Sequence, residues 1–138
     1  MLEEIFDPRT ISKSVYRALH NLRQSHTNNR NRLKEQYNQS VELYTYLATW
    51  GMLRLKAEEQ ALNQDGKKDV VIKYFETLQD LSGVNNLVGE RGLNTLSSDD
   101  MKPEDYLGLT GLGLQVAREF AFWAGAVYAD VKAEAENA

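Results

Sequence analysis

Seven cations, Arg9, Lys13, Arg17, Arg23, Arg30, Arg32 and Lys34, fall between Pro8 and Lys34 together with His20 and His26, and no acidic side chain interrupts them. The window carries +7 in a chain whose formal net charge is −4, so the remainder is markedly acidic. Clustered cations at one end of a molecule concentrate anions locally and displace counterions from phosphates. The pattern therefore fits a polyanion such as RNA, or an acidic partner surface. The chemistry on offer is grip, not bond-making. The same residues also fit a plainer reading, a solvated helix face whose long cationic stems cover apolar surface.

Other chemistries find less support. The two histidines stand six residues apart, which is not the i, i+4 spacing of a helical metal site, and no carboxylate in their own window could orient them. Gly108-Leu109-Thr110-Gly111-Leu112-Gly113 is glycine-rich but follows no strand and lacks the Lys-Ser/Thr ending of a phosphate loop, so it reads as helix packing. Glu58-Glu59 and Asp99-Asp100 are adjacent pairs whose members point in different directions on a helix, and no second group completes an acid–base site. No Ser/His/Asp constellation can be placed. There is no cysteine, which excludes disulfides, thiolate metal sites and thiol catalysis. The expectation is a non-enzyme without cofactor or metal. Tyr37, Tyr44, Tyr46 and Trp50, followed by Arg54 and Lys56, could stack bases and hold phosphates, but aromatic residues at helical spacing more often make a core, so no base-stacking claim rests on them.

The elements that must position these residues are helices. Ile11, Val15, Ala18, Leu19 and Leu22 recur at spacings of three and four from Pro8 to about Ser25, with Arg9, Lys13, Arg17 and His20 on the opposite side. Leu33, Tyr37, Val41, Tyr44, Ala48, Met52, Leu55 and Leu62 predict one long second helix, with a close approach or kink at Gly51. Val70, Val71, Tyr74, Phe75, Leu78 and Leu81 mark a third helix stopping near Ser82-Gly83. Residues 83–102 read as the longest loop, with a helical turn around Leu93 to Leu96 and a possible second contact role. A last helix is expected from Pro103 to Glu134, with Gly108, Gly111, Gly113 and Gly125 allowing close backbone approach. No strand-like alternation occurs. The fold class is all-α, a bundle of about four to five helices in a single domain spanning 1–138. Tyr106 to Ala129 is apolar, but Gln115, Arg118 and Glu119 would sit in hydrocarbon, so no membrane span is expected. The acidic start lacks an apolar run of signal-peptide length, which makes the cytoplasm the expected location.

Tyr44 through Gly51-Met52-Leu53, a following Lys56, the Lys67-Lys68 helix start and a closing Tyr106-x3-Thr110-x3-Leu114-x3-Arg118-x2-Ala121 helix resemble the small helical subunit of type III CRISPR–Cas effector complexes, especially the Cmr-type, over residues 35–125. The resemblance implies a non-catalytic subunit that stacks beside a crRNA-bearing backbone, contacts neighbouring subunits or further copies of itself, and helps hold the guide–target duplex by its backbone. Lys13, Arg17, Arg23, Arg30 and Arg32 are RNA candidates from charge and helical phase, with Arg9 and Lys34 from the same window. Arg54 and Lys56 are candidates from their place in the resembling segment. The alternative is a helical protein–protein adaptor that docks an acidic partner without nucleic acid.

Overall fold

The computed structural model describes residue 7 and residues 9–137. Pro8, expected to open the first helix, lies outside the described residues. Among the latter there are seven helices and no strand: α1 (Thr10–Gln24), α2 (Arg30–Trp50), α3 (Met52–Ala61), α4 (Asp65–Ser82), α5 (Arg91–Ser97), α6 (Pro103–Val127) and α7 (Lys132–Glu136). The fold class is all-α, with α2 and α6 the long members. Helix α2 packs against both α4 and α6, α1 lies along α6 and also meets α4, and α3 and α5 pack together beside α4. One core cluster draws on all seven helices. Val15 and Leu19 of α1, Leu43 and Leu47 of α2, Phe75 and Leu78 of α4, and Val116 and Phe120 of α6 are buried in it. On α1 and α4 these residues follow the 3.6-residue period read from the sequence, whereas on α2 Leu43 and Leu47 are inside and Val41 and Ala48 of the expected stripe are exposed.

Two expected boundaries differ. The long second helix is two helices, because Gly51 adopts φ +89°, a left-handed conformation that interrupts the α-helical ladder and that glycine enters without strain. The break is sealed from outside, since the Leu53 N–H at the start of α3 donates to the Tyr106 hydroxyl at 3.0 Å. The last helix ends at Val127 and does not run on to Glu134. There the chain turns so that the buried Tyr128 can donate its hydroxyl to Gln36 of α2 at 2.7 Å, before α7 begins. The loop 83–102 contains the expected helical segment as α5, somewhat longer than a single turn.

Close backbone approach along α6 is confined to Gly113. A Cβ there would stand 2.5 Å from Met52 Cε and 2.6 Å from the Tyr74 hydroxyl, whereas at Gly108, Gly111 and Gly125 it would meet nothing within 4 Å. Tyr74 is itself fixed, donating to the Gly113 carbonyl at 2.8 Å and packing edge-on against Phe120. Gly113→Ala would gain helix propensity but force Tyr74 off its bond. The expected net loss is about 1–2 kcal/mol, read as a lower urea midpoint at unchanged slope.

Candidate nucleic-acid interface

The nine candidate cations divide sharply by environment. Lys13 and Arg17 are exposed on the outer side of α1, and neither has an ion-pair partner among the described residues. Arg9 is exposed but bonded to Asp7, whose carboxyl is drawn down to about 2 by the Arg9 hydrogen bonds and charge.

Arg23 reaches across to the turn after α6, where it donates to the Val127 carbonyl at 2.7 Å and to both oxygens of Asp130. Arg30 bonds the Glu134 carboxylate and the Asp130 carbonyl. Arg32 makes a two-pronged pair with Asp69 of α4 at 2.7 and 2.8 Å. Hydrogen bonding to these guanidiniums holds the Asp130 and Glu134 carboxyls below their ordinary range, even though partial desolvation acts the other way. Lys34 is half-buried and lies near enough to Glu134 to help stabilise its negative charge. Much of the N-terminal cationic window is thus spent on acidic residues of α4 and the C-terminal turn, and these pairs join helix ends in a fold that needs them.

Lys56 requires a correction. It is fully buried, its ammonium 2.9 Å from Glu59 and 4.6 Å from the centre of the Phe75 ring. A side chain with no solvent contact cannot reach an RNA phosphate. Arg54, one turn away from the Gly51 break, is exposed and lies over the Trp50 ring at 4.6 Å, with Trp50 itself 52% exposed.

The free cations of α1 belong to a larger face that continues onto α6 and α2. Tyr16 stacks on His20 with ring centres 5.8 Å apart and meets Trp123 of α6 at 5.4 Å; Phe122 lies edge-on to Trp123. One turn back on α6, Arg118 is exposed, sits over the Tyr44 ring of α2 at 4.9 Å and donates to its hydroxyl at 3.0 Å. Tyr16, Trp123 and Phe122 thus link α1 to α6 and Arg118 links α6 to Tyr44 of α2, while Lys13, Arg17 and His20 are exposed on α1. Glu119, the carboxylate nearest this surface on α6, accepts hydrogen bonds from Ser12 and Trp123. Such an arrangement can hold a phosphate backbone while offering ring faces to bases, with no device for reading base edges.

Arg118, Phe122, Trp123 and Tyr16 were not among the candidates read from the sequence. Helical phase was the available signal for two of them. Phe122 and Arg118 share a side of α6 opposite the buried Val116 and Phe120, and an aromatic residue on a polar side marks a surface with use. Among the aromatic candidates from α2, Tyr37 is core and donates to Glu136, Tyr46 bonds Glu58, and Tyr44 and Trp50 reach the surface. No group of three or more His, Cys, Asp or Glu residues that could hold a metal ion occurs among the described residues, and none of their helices is long and apolar enough to cross a membrane. Comparison with family models, curated proteins and solved structures gives no match to the chain.

Proposed function

We propose that this chain is a non-catalytic, RNA-backbone-binding subunit of a ribonucleoprotein, of the kind found as the small helical subunit of type III CRISPR effectors. The observation that carries the reading is the exposed Lys13 and Arg17 of α1, without an ion pair among the described residues, on a helix joined through Tyr16 and Trp123 to α6, where the exposed Arg118 lies over Tyr44 of α2, while Arg23, Arg30 and Arg32 are consumed by internal pairs. The family in this reading comes from the resemblance over residues 35–125. A subunit that works inside an assembly also accounts for the outer side of α6, where Leu107 and Phe122 are 69% and 67% exposed. Large apolar side chains so placed favour burial against a neighbour.

About four available cations, Arg54 included, support weak sequence-independent affinity, in the range of about 1–100 µM, with a log–log salt slope near −3 on single-stranded RNA. Lys13→Glu/Arg17→Glu is the informative variant, because both side chains are exposed and unpaired among the described residues, so the fold should survive. Fluorescence anisotropy with labelled RNA between about 50 and 300 mM salt should show binding weakened by at least about tenfold and a slope reduced by about 1.4. Retention of wild-type affinity in this variant, or no binding at the lowest salt, would sink the proposed RNA role. Reversing Arg23, Arg30 or Arg32 would not discriminate, since each also breaks a structural ion pair.

The second reading, an adaptor without nucleic acid, draws on the same exposed Leu107 and Phe122. It predicts capture of an acidic protein by the α1 face and no RNA affinity at any salt.

A further inference from the structure

On the opposite charge side of the molecule, the start of α1, the end of α4, residues 83–101 and the first turns of α6 enclose an open groove of about 1600 Å³. Its floor is apolar, with Ile11, Leu81, Met101, Leu109 and Leu112, and its rim carries Asp7, Asp80, Asp100, Glu104 and Asp105, with no Lys or Arg among the lining residues. Asp7 is paired with Arg9, and none of the other four carboxylates has an ion-pair partner among the described residues. Glu104 and Asp105 have a structural reason to be there, as they occupy the first turn of α6, where negative charge complements the helix dipole. Asp80 has none. It stands in the last turn of α4, where the dipole opposes it, and Asp100 belongs to no helix.

We propose that this groove docks a cationic amphipathic helical segment of a partner protein. Charge complementarity names the polar side of the occupant, since four carboxylates without an ion pair among the described residues rim the site, and Arg9, the cation that does pair with a lining residue, is held by Asp7. The apolar floor names the other side. A helix about 10–12 Å across that rises 5.4 Å per turn fits a space of this size with roughly three turns, so the occupant would present about one apolar residue per turn to the floor and Lys or Arg to the rim. The residues 83–102, read from sequence as a second contact region, here supply one wall of a site whose other walls are helix ends. Nothing in the proposal depends on RNA binding, and its residues are separate from Lys13, Arg17 and Arg118, so the two can fail independently.

The probe is a 14-residue Leu/Lys amphipathic helix of roughly three to four turns, titrated into the isotopically labelled protein and followed by amide chemical shifts and by anisotropy. A same-composition scrambled peptide and a Leu/Glu counterpart are titrated alongside. The expected result is saturable shifts at Leu81, Asp100, Gly108 and Leu112, at least about tenfold weaker binding of the scrambled peptide, and none of the Leu/Glu peptide. Asp80→Lys/Asp100→Lys should weaken binding by about tenfold or more. Gly108→Phe should do the same by filling the groove, because Gly108 lines it and a Cβ there would meet nothing within 4 Å. Shifts spread over remote acidic positions such as Glu42 and Glu90, equal binding of the scrambled peptide, or indifference to both variants would overturn the proposal. So would concentration-dependent self-association abolished by Asp80→Lys/Asp100→Lys, which would assign the groove to the α1 face of a second copy.

Discussion

Glu59→Ala is expected to destabilise the protein by about 3–5 kcal/mol and Lys56→Met by less, while replacing both by apolar residues leaves stability near that of wild type. Lys56 is 0% exposed and Glu59 is buried beside it, so the pair has been taken out of water together. Their 2.9 Å contact and the Phe75 ring under the ammonium offset the desolvation of the lysine. Removing the carboxylate alone leaves a buried cation with no anion, and the stem cannot move aside because it fills the space against Gly92 of α5. There a Cβ would stand 2.9 Å from Lys56 Cδ. Removing the cation instead strands a carboxylate whose side chain is only 9% exposed, so this change also costs stability, but less, because the carboxylate keeps some contact with water and Met replaces the aliphatic stem in nearly the same volume. Urea unfolding of the two single variants and of Lys56→Met/Glu59→Leu checks this, with the double variant close to wild type. A cost under about 1 kcal/mol for Glu59→Ala would mean that the lysine finds solvent, and would reopen its candidacy as a surface cation.

The same residue shows why the site was harder to read than the fold. Sequence periodicity located the buried sides of α1 and α4 because a core is a local matter of phase: Val15, Leu19 and Leu22, or Val70, Val71, Tyr74, Phe75 and Leu78, announce it within one helix, whereas on α2 the expected stripe was turned away from the real one, with Val41 and Ala48 exposed and Leu43 and Leu47 inside. Gly83 ends α4 as expected, with a left-handed backbone suited to a helix stop. Gly51 was visible as an interruption, but whether a glycine kinks or breaks a helix depends on the surroundings. Here the Tyr106 hydroxyl, arriving from 53 residues away, satisfies the freed N–H and makes the break stable.

Charge has no such local signature. The cationic window between Pro8 and Lys34 and the acidic remainder look like two independent surfaces when read along the chain. In the fold, Arg23 meets Asp130, Arg30 meets Glu134 and Arg32 meets Asp69, so a good part of the segregation is intramolecular complementarity. Phase alone did predict that Lys13 and Arg17 point outward. The company they keep was not legible, because Arg118, Trp123 and Tyr44 come from helices whose adjacency only tertiary packing decides.

Asp69→Ala is expected to cost about 2 kcal/mol, less than breaking a fully buried pair because Arg32 and Asp69 are only partly buried, but more than a surface pair because several groups converge on this carboxylate. It accepts both prongs of Arg32 and the Gln36 amide at 3.1 Å, and the Gln36 oxygen in turn accepts from the buried Tyr128 hydroxyl. Loss of the carboxylate therefore unpairs an arginine and frees an amide that fixes the turn after α6. Burial pushes the Asp69 carboxyl up, but the hydrogen bonds from Arg32 and Gln36 and the Arg32 charge outweigh it, and the net shift is below the ordinary 3.8. The sign follows. In the unfolded chain the group binds its proton at higher pH than in the folded protein, so its contribution is complete above 3.8 and fades as pH falls through the lowered folded value. Urea midpoints measured downward from about pH 6 should thus converge for wild type and Asp69→Ala in strongly acid solution, and differ most at neutral pH. A gap that stayed constant down to acid denaturation would show that Asp69 acts by filling space, and that the network from Arg32 through Gln36 to Tyr128 is not what pins the last helix.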